Sequence, residues 1–166
     1  TLIQSIDISK INTICDMGAG AGFPSIPVKI LFPHLDVTII DSLGKRITFL
    51  QLLLNKLEID DVKLIYDRIE NYAQLNLEKF DLVTARALGR LPLILELGLP
   101  MNKIDGYFVA YKSSLYKDEV ESAQHALKVL GGQIESIVDI KLPLSYGDRA
   151  HIVIKKNFIP CLPVLH

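Results

Sequence analysis

The stretch Asn12-Thr-Ile-Cys-Asp-Met-Gly-Ala-Gly-Ala-Gly-Phe-Pro24 sets a short β-prone run against three alternating glycines and then a proline. Gly18, Gly20 and Gly22 have no Cβ, so the backbone can take positive φ and come close to a ligand. Pro24, with its fixed φ and missing N–H, suits the first turn of a helix. Strand, glycine turn and helix start, in that order, build a nucleotide-type site at the carboxyl end of a parallel strand.

The spacing narrows the choice of nucleotide. A dinucleotide turn needs G-x-G-x-x-G, and Phe23 stands where the third glycine belongs. A phosphate-gripping loop with Lys and Ser or Thr after its second glycine is absent from the chain. Asp16, two residues before Gly18, would repel a pyrophosphate lying across the turn and attract a cation. S-adenosylmethionine, with an ammonium and a sulfonium and no phosphate, suits an acid followed by G-x-G-x-G better than NAD does. A tight turn with a core-capping Asp is the plainer alternative.

The 166 residues are 49% hydrophobic with a net charge of −1, which describes one globular domain with ample core and excludes a broadly basic nucleic-acid coat. Two distant cysteines without a CxxC, and four histidines without metal-ligand spacing, read as reduced thiols in a cytoplasmic protein with no metal site. The apolar runs are short and interrupted, so neither a membrane span nor a signal peptide is expected.

Strand and helix patterns alternate along the chain. Strands are expected at Thr13 to Met17, Asp36 to Asp41, Val62 to Tyr66, Phe80 to Arg86 and Tyr107 to Lys112, the last after an Asp105-Gly106 turn. Helices are expected at Ser25 to Phe32, Lys45 to about Leu57, Ile69 to Gln74, Leu91 to Leu97 and Lys117 to Leu130. Two last extended runs, Ile134 to Leu142 and His151 to Lys155, flank a Gly147-Asp148 loop and suggest a hairpin. The expected fold is α/β, a seven-stranded, mostly parallel sheet with helices on both faces and a C-terminal antiparallel hairpin.

Asp41 ends the second strand 25 residues beyond Asp16, where an acid can accept hydrogen bonds from ribose hydroxyls. On local grounds Asp41 or Ser42 could equally cap the following helix. After the third strand, Ile69 could pack on an adenine ring and Asp67 or Glu70 could face its amino group, or these acids could be a helix cap and a surface charge.

Five segments carry a resemblance: Asp16-Met-Gly-Ala-Gly-Ala-Gly-Phe-Pro, Asp41-Ser-Leu-Gly-Lys-Arg-Ile-Thr-Phe-Leu, Arg68-Ile-Glu70, Thr84-Ala-Arg-Ala87 and Gly147-Asp-Arg-Ala-His-Ile-Val-Ile-Lys-Lys156. Together, over about Ile11 to Lys156, the chain resembles the glucose-inhibited division protein B family, bacterial methyltransferases that form 7-methylguanosine in 16S ribosomal RNA. The resemblance implies a Rossmann-like class I methyltransferase fold, S-adenosylmethionine as cofactor, and N7 of a guanine in the 530 loop region as acceptor. By resemblance the cofactor contacts fall on Gly18, Phe23, Ile69, Glu70 and Arg86, beside the Asp16, Gly20, Gly22 and Asp41 argued above. The family usually carries a helical segment ahead of the first strand, where only about ten residues stand here; residues upstream of Thr1 are expected. The tail from Pro160 to His166 is apolar where the family suggests a basic end.

Guanine N7 has an exposed lone pair and needs no deprotonation. In keeping with this, the Asn/Asp-Pro-Pro-Tyr/Phe element of exocyclic-amine methylation is replaced by Thr84-Ala-Arg-Ala-Leu. A C5 nucleophile is not expected of Cys15, in the first strand, or of Cys161, in the tail. Proximity then carries the catalysis, where effective molarity can supply about 7–11 kcal/mol. No obligatory catalytic base is expected, with Arg86 and Lys112 as positioning candidates. RNA contacts are expected from Lys45, Arg46, Arg90, Lys112, Arg149 and His151, gathered by strand ends around one cleft. Arg86 is read as needing a partner within an apolar strand, whereas Lys155 and Lys156 are read as solvated charges. His34, His125 and His166 are placed on the surface, and Tyr107, Phe108 and Tyr111 in the core or cleft wall. The partner is 16S ribosomal RNA or the small subunit, and the protein is expected to act as a cytoplasmic monomer. An NAD-type oxidoreductase and a non-catalytic RNA- or ribosome-binding protein remain as alternatives.

Overall fold

The computed structural model describes residues 2–141 and 148–159. In chain order the elements are α1 (Leu2–Ser5), β1 (Thr13–Met17), α2 (Ser25–Leu31), β2 (Asp36–Asp41), α3 (Gly44–Leu57), β3 (Val62–Tyr66), α4 (Ile69–Leu75), β4 (Phe80–Arg86), α5 (Leu91–Gly98), β5 (Asn102–Ser113), α6 (Lys117–Ser122), α7 (Gln124–Leu130), β6 (Gly132–Lys141) and β7 (Asp148–Lys156). One seven-stranded sheet has the order β3-β2-β1-β4-β5-β7-β6. The five strands from β3 to β5 are parallel, and β7 runs antiparallel to both β5 and β6. The chain therefore winds outward from β1 one way and from β4 the other. Between those strands the carboxyl ends open a crevice, the usual place for a ligand in such a sheet.

Strand alternation divides the core into two layers. Cys15, Met17, Phe108 and Ala110 face the layer built with α5 and α7, while Ile14, Val109, Leu50 and Ile26 face the layer built with α2 and α3. Full burial of such side chains contributes roughly 1.5–3 kcal/mol each. Gly98 lets α5 press onto the sheet, since a Cβ there would stand 2.9 Å from Met17 Cε and run into the Phe108 ring.

β1 to β4 begin and end where the sequence places them. β5 starts five residues early, at Asn102, because residues 103–106 bulge between the Phe80–Asn102 and Leu82–Tyr107 pairs, with Asp105 at φ 62°. The expected helix over 117–130 is two, parted at Ala123, where Ser122 Oγ donates to Glu119 O at 2.9 Å and Gly131 (φ 76°) ends the second. Leu142 and Gly147 of the expected hairpin lie outside the described residues. Among the described residues no helix is long and apolar enough to cross a membrane.

Candidate nucleotide and methyl-transfer site

At the end of β1, Gly18 N donates to Ile40 O of β2 at 2.8 Å, and the chain then turns through three left-handed glycines, Gly18 (φ 66°), Gly20 (φ 60°) and Gly22 (φ 91°). Leu88, from the segment after β4, lies so close that a Cβ on Gly18 would stand 2.6 Å from its Cδ2; a Cβ on Gly20 would meet nothing within 4 Å. The turn is packed at its base and open at its crown. Pro24 flanks the helix rather than opening it: the Phe23–Pro24 peptide is cis and α2 begins at Ser25.

Asp16 is fully buried beneath this turn. Register sets it beside Thr84 of β4, whose Oγ1 donates to Oδ1 at 3.0 Å, and Ser25 N donates to Oδ2 at 3.4 Å. Burial outweighs those bonds and pushes the carboxyl up to about 6 from 3.8. Ser25 Oγ sits beside the same carboxyl, and Tyr111 Oη near the crevice is buried without a hydrogen-bond partner. A buried acid short of counter-charge, an unpartnered tyrosine hydroxyl and an open glycine crown fit a cationic, hydroxyl-bearing ligand.

Asp41 is buried at the end of β2, accepting from Leu43 N at 2.9 Å and from Arg46 Nη1 at 3.2 Å. Neither Asp41 nor Ser42 caps α3, whose N-cap is Leu43; Asp41 instead closes the bend before it. In α4, Ile69 is half-buried against the first core layer and Glu70 is exposed in the first turn. Asp67 accepts from Arg68 N at 2.7 Å and Asn71 Nδ2 at 3.0 Å, but it does not cap α4, whose N-cap is Arg68.

Arg86 is exposed at the tip of β4, so the premise of a buried arginine seeking a partner does not hold. Its guanidinium lies 5.8 Å from the centre of the half-exposed Phe23 ring. Beside this pair opens a mostly apolar cavity of about 590 Å³, whose wall includes Phe23, Pro27, Arg86, Tyr111, Arg149 and His151.

The expected ring of free basic groups is only partly assembled. Lys45, Arg90 and Arg149 are exposed. Arg46 is turned onto Asp41. Lys112 is buried against Glu119 at 2.7 Å, and a phosphate contact would have to break that pair. His151 does not serve as a cation: it is buried, its Nδ1 lies 2.8 Å from Ser5 Oγ, its ring packs 4.2 Å from Tyr111, and burial lowers its pKa to about 4. Lys156 is buried, not solvated, while Lys155 pairs with Asp105 at 3.0 Å. Cys15 is fully buried and its thiol pushed up, which leaves it no nucleophile; Cys161 and His166 lie outside the described residues. His34 and His125 are exposed, Phe108 is in the core and Tyr111 in the cavity wall. Thr84, Ser25 and Glu119 were not legible as site residues; polar positions at matching points of two adjacent apolar strands were the available signal for Thr84.

The family model described as GidB, rRNA small subunit methyltransferase G, matches residues 1–152. "Ribosomal RNA small subunit methyltransferase G" of Bacillus velezensis is 48% identical over 92% of this chain and 64% of its own length, and that of Acholeplasma laidlawii is 48% identical over 92% and 66%. The chain thus spans about two thirds or slightly less of the relatives it matches. An rRNA methylase from Streptococcus thermophilus shares the fold, with a TM-score of 0.64 at 16% identity over 89% of this chain and 87% of that one. The glycine turn over a buried acid, the methyltransferase sheet and the match along most of the sequence lead to one assignment: the chain belongs to the GidB family, the rRNA small subunit methyltransferases G.

Proposed function

We propose that this chain holds S-adenosylmethionine across the glycine turn and directs its methyl group to N7 of a guanine in the 530 loop region of 16S ribosomal RNA, acting as a monomer in the cytoplasm. The observation that carries the reading is the buried Asp16 carboxylate under an open glycine crown, which a pyrophosphate would oppose and a cation would satisfy. Bound there, the cofactor supplies an electrophilic methyl on a sulfonium.

The chain's own residues then have distinct tasks. Asp16, held by Thr84, faces the ligand's positive charge. Asp41, already ordered by Leu43 N–H and Arg46, offers a prealigned acceptor for ribose hydroxyls. Ile69 and Glu70 border the adenine, and the Phe23–Arg86 pair stands between turn and cavity, where the acceptor base enters. His151, neutral in the cavity wall, adds no positive charge where the methylated purine becomes cationic. Lys45, Arg90 and Arg149 remain exposed for RNA phosphate, so binding weakens as salt rises. No residue is required to take a proton, and positioning accounts for the rate.

Calorimetric titration with S-adenosylmethionine, with NADH as comparison, tests the reading. The sulfonium ligand is expected to bind and NADH is not. Asp41→Ala should weaken binding about 10- to 100-fold, the scale of hydrogen bonds to a charged acceptor. NADH binding in place of S-adenosylmethionine would refute the proposal, and so would unchanged affinity in Asp41→Ala for the ribose role.

A further inference from the structure

The segment joining β4 to α5 leaves Arg86 through Ala87 at φ 54° and crosses Gly89 at φ 149°. A side chain at Ala87 holds such a left-handed backbone only where its surroundings over-determine it. On one side the segment is packed through Leu88 onto the core; on the other it is tied by one ion pair. Lys112, on β5 alongside β4, donates from Nζ to Gly89 O and meets Glu119 Oε2 at 2.7 Å. The same Glu119 oxygen, projecting from α6, accepts Leu91 N at 2.7 Å, an N–H of the first turn of α5 that has no partner within its own helix. One ammonium and one carboxylate therefore take up the carbonyl near the middle of the segment and the amide at its end. Burial alone would raise the Glu119 carboxyl, but the Lys112 and Leu91 bonds hold it below its usual value.

The opposite side of the segment meets the candidate site. Leu88 lies against Gly18, and Arg86 at its root faces the Phe23 ring. We infer that Lys112 and Glu119 are positioning residues: they clamp the β4–α5 segment onto the glycine turn and act on methyl transfer through Arg86 and Leu88, without touching donor or acceptor. This assigns Lys112 a task other than gripping RNA, and gives α6, an otherwise peripheral helix, a part in the reaction. It rests on the proposed function for the step served, and on the geometry for the clamp.

The test compares wild type, Glu119→Gln, Lys112→Met and the double variant by amide exchange, calorimetry with S-adenosylmethionine, and single-turnover methyl transfer to unmethylated small subunits. The Leu91 amide, the one N–H of the segment that the pair holds, is expected to exchange about tenfold or more faster in each variant. Methyl transfer should fall by about 10²-fold, the cost of a misplacement near 1 Å, with a much smaller change in S-adenosylmethionine affinity. The double variant should be no slower than the worse single one, because the two groups act as a unit. Should Lys112→Met fail to fold, Glu119→Gln carries the test, since it keeps the shape of the side chain but removes the charge that holds Lys112 and strengthens the Leu91 bond. Faster exchange with undiminished transfer would overturn the inference, as would unchanged exchange. A wild type that neither binds the cofactor nor transfers a methyl group would instead refute the function, an outcome visible before any variant is compared.

Discussion

Asp16→Asn is expected to weaken S-adenosylmethionine binding by about 30- to 100-fold, the scale for losing one partner of a buried charge pair, while making the empty protein more stable. The two effects share a cause. Raising a buried carboxyl from 3.8 to about 6 corresponds to about 3 kcal/mol of disfavour for the charged form at neutral pH. Asparagine removes that disfavour and keeps an oxygen for Thr84 Oγ1. Its NH₂ faces the Ser25 N–H less well, but the adjacent Ser25 hydroxyl can turn to accept from it. A net gain of about 1–2 kcal/mol follows, a rise in melting temperature of roughly 2–8 °C for a chain of this length.

The pH dependence has a definite sign. Between about 4 and 6 the folded state holds a proton on Asp16 that the unfolded state has lost, so this group's contribution is fully present below about 4 and disappears as pH rises through 6. The stability gap between variant and wild type should accordingly open as pH rises from 4 to 7. Cofactor binding runs the other way. Only the carboxylate attracts the cation, so wild-type affinity should be about tenfold weaker at pH 5 than at pH 7.5. Thermal melts and titrations across that range check both, and a wild-type affinity independent of pH would remove Asp16 from contact with the ligand's charge.

How far the sequence reveals this site depends on the kind of fact. β1, β2 and β4 were legible because parallel strands buried on both faces read as β-branched runs punctuated by glycine, proline and acids, and the edge strand β3 because its short apolar run is bounded by acids. The bulge of residues 103–106 was not, because pairing to Phe80 and Leu82, not local composition, makes those residues part of a strand. Asp16 and Asp41 stood out as acids ending apolar runs. Their partners did not: Thr84 meets Asp16 only because β4 lies beside β1, and Glu119 reaches Lys112 only because α6 folds back toward β5. The fate of cations was least legible. Arg46 and Lys112 read as free positive charges until the fold sets a carboxylate opposite each.

The sharpest case is a pair of neighbours. Lys155 and Lys156 look alike in sequence, yet alternation along β7 sends them to opposite faces. Lys155, with 34% of its side chain exposed, meets an exposed Asp105 carboxylate. Lys156 is 1% exposed and donates to Asn102 O at 2.8 Å and Pro100 O at 3.3 Å, tying the last strand to the start of β5. Lys155→Ala should therefore cost less than about 1 kcal/mol, as surface pairs do. Lys156→Ala removes a buried aliphatic stem and leaves Asn102 O short of a donor, offset in part by release of a desolvated ammonium whose pKa is already lowered. A loss of about 3 kcal/mol is expected, seen as a fall in the urea midpoint at unchanged slope. Lys156→Met, which keeps the stem, should recover part of that loss; equal midpoints for the two alanine variants would show that the buried amine contributes nothing to holding β7 against β5.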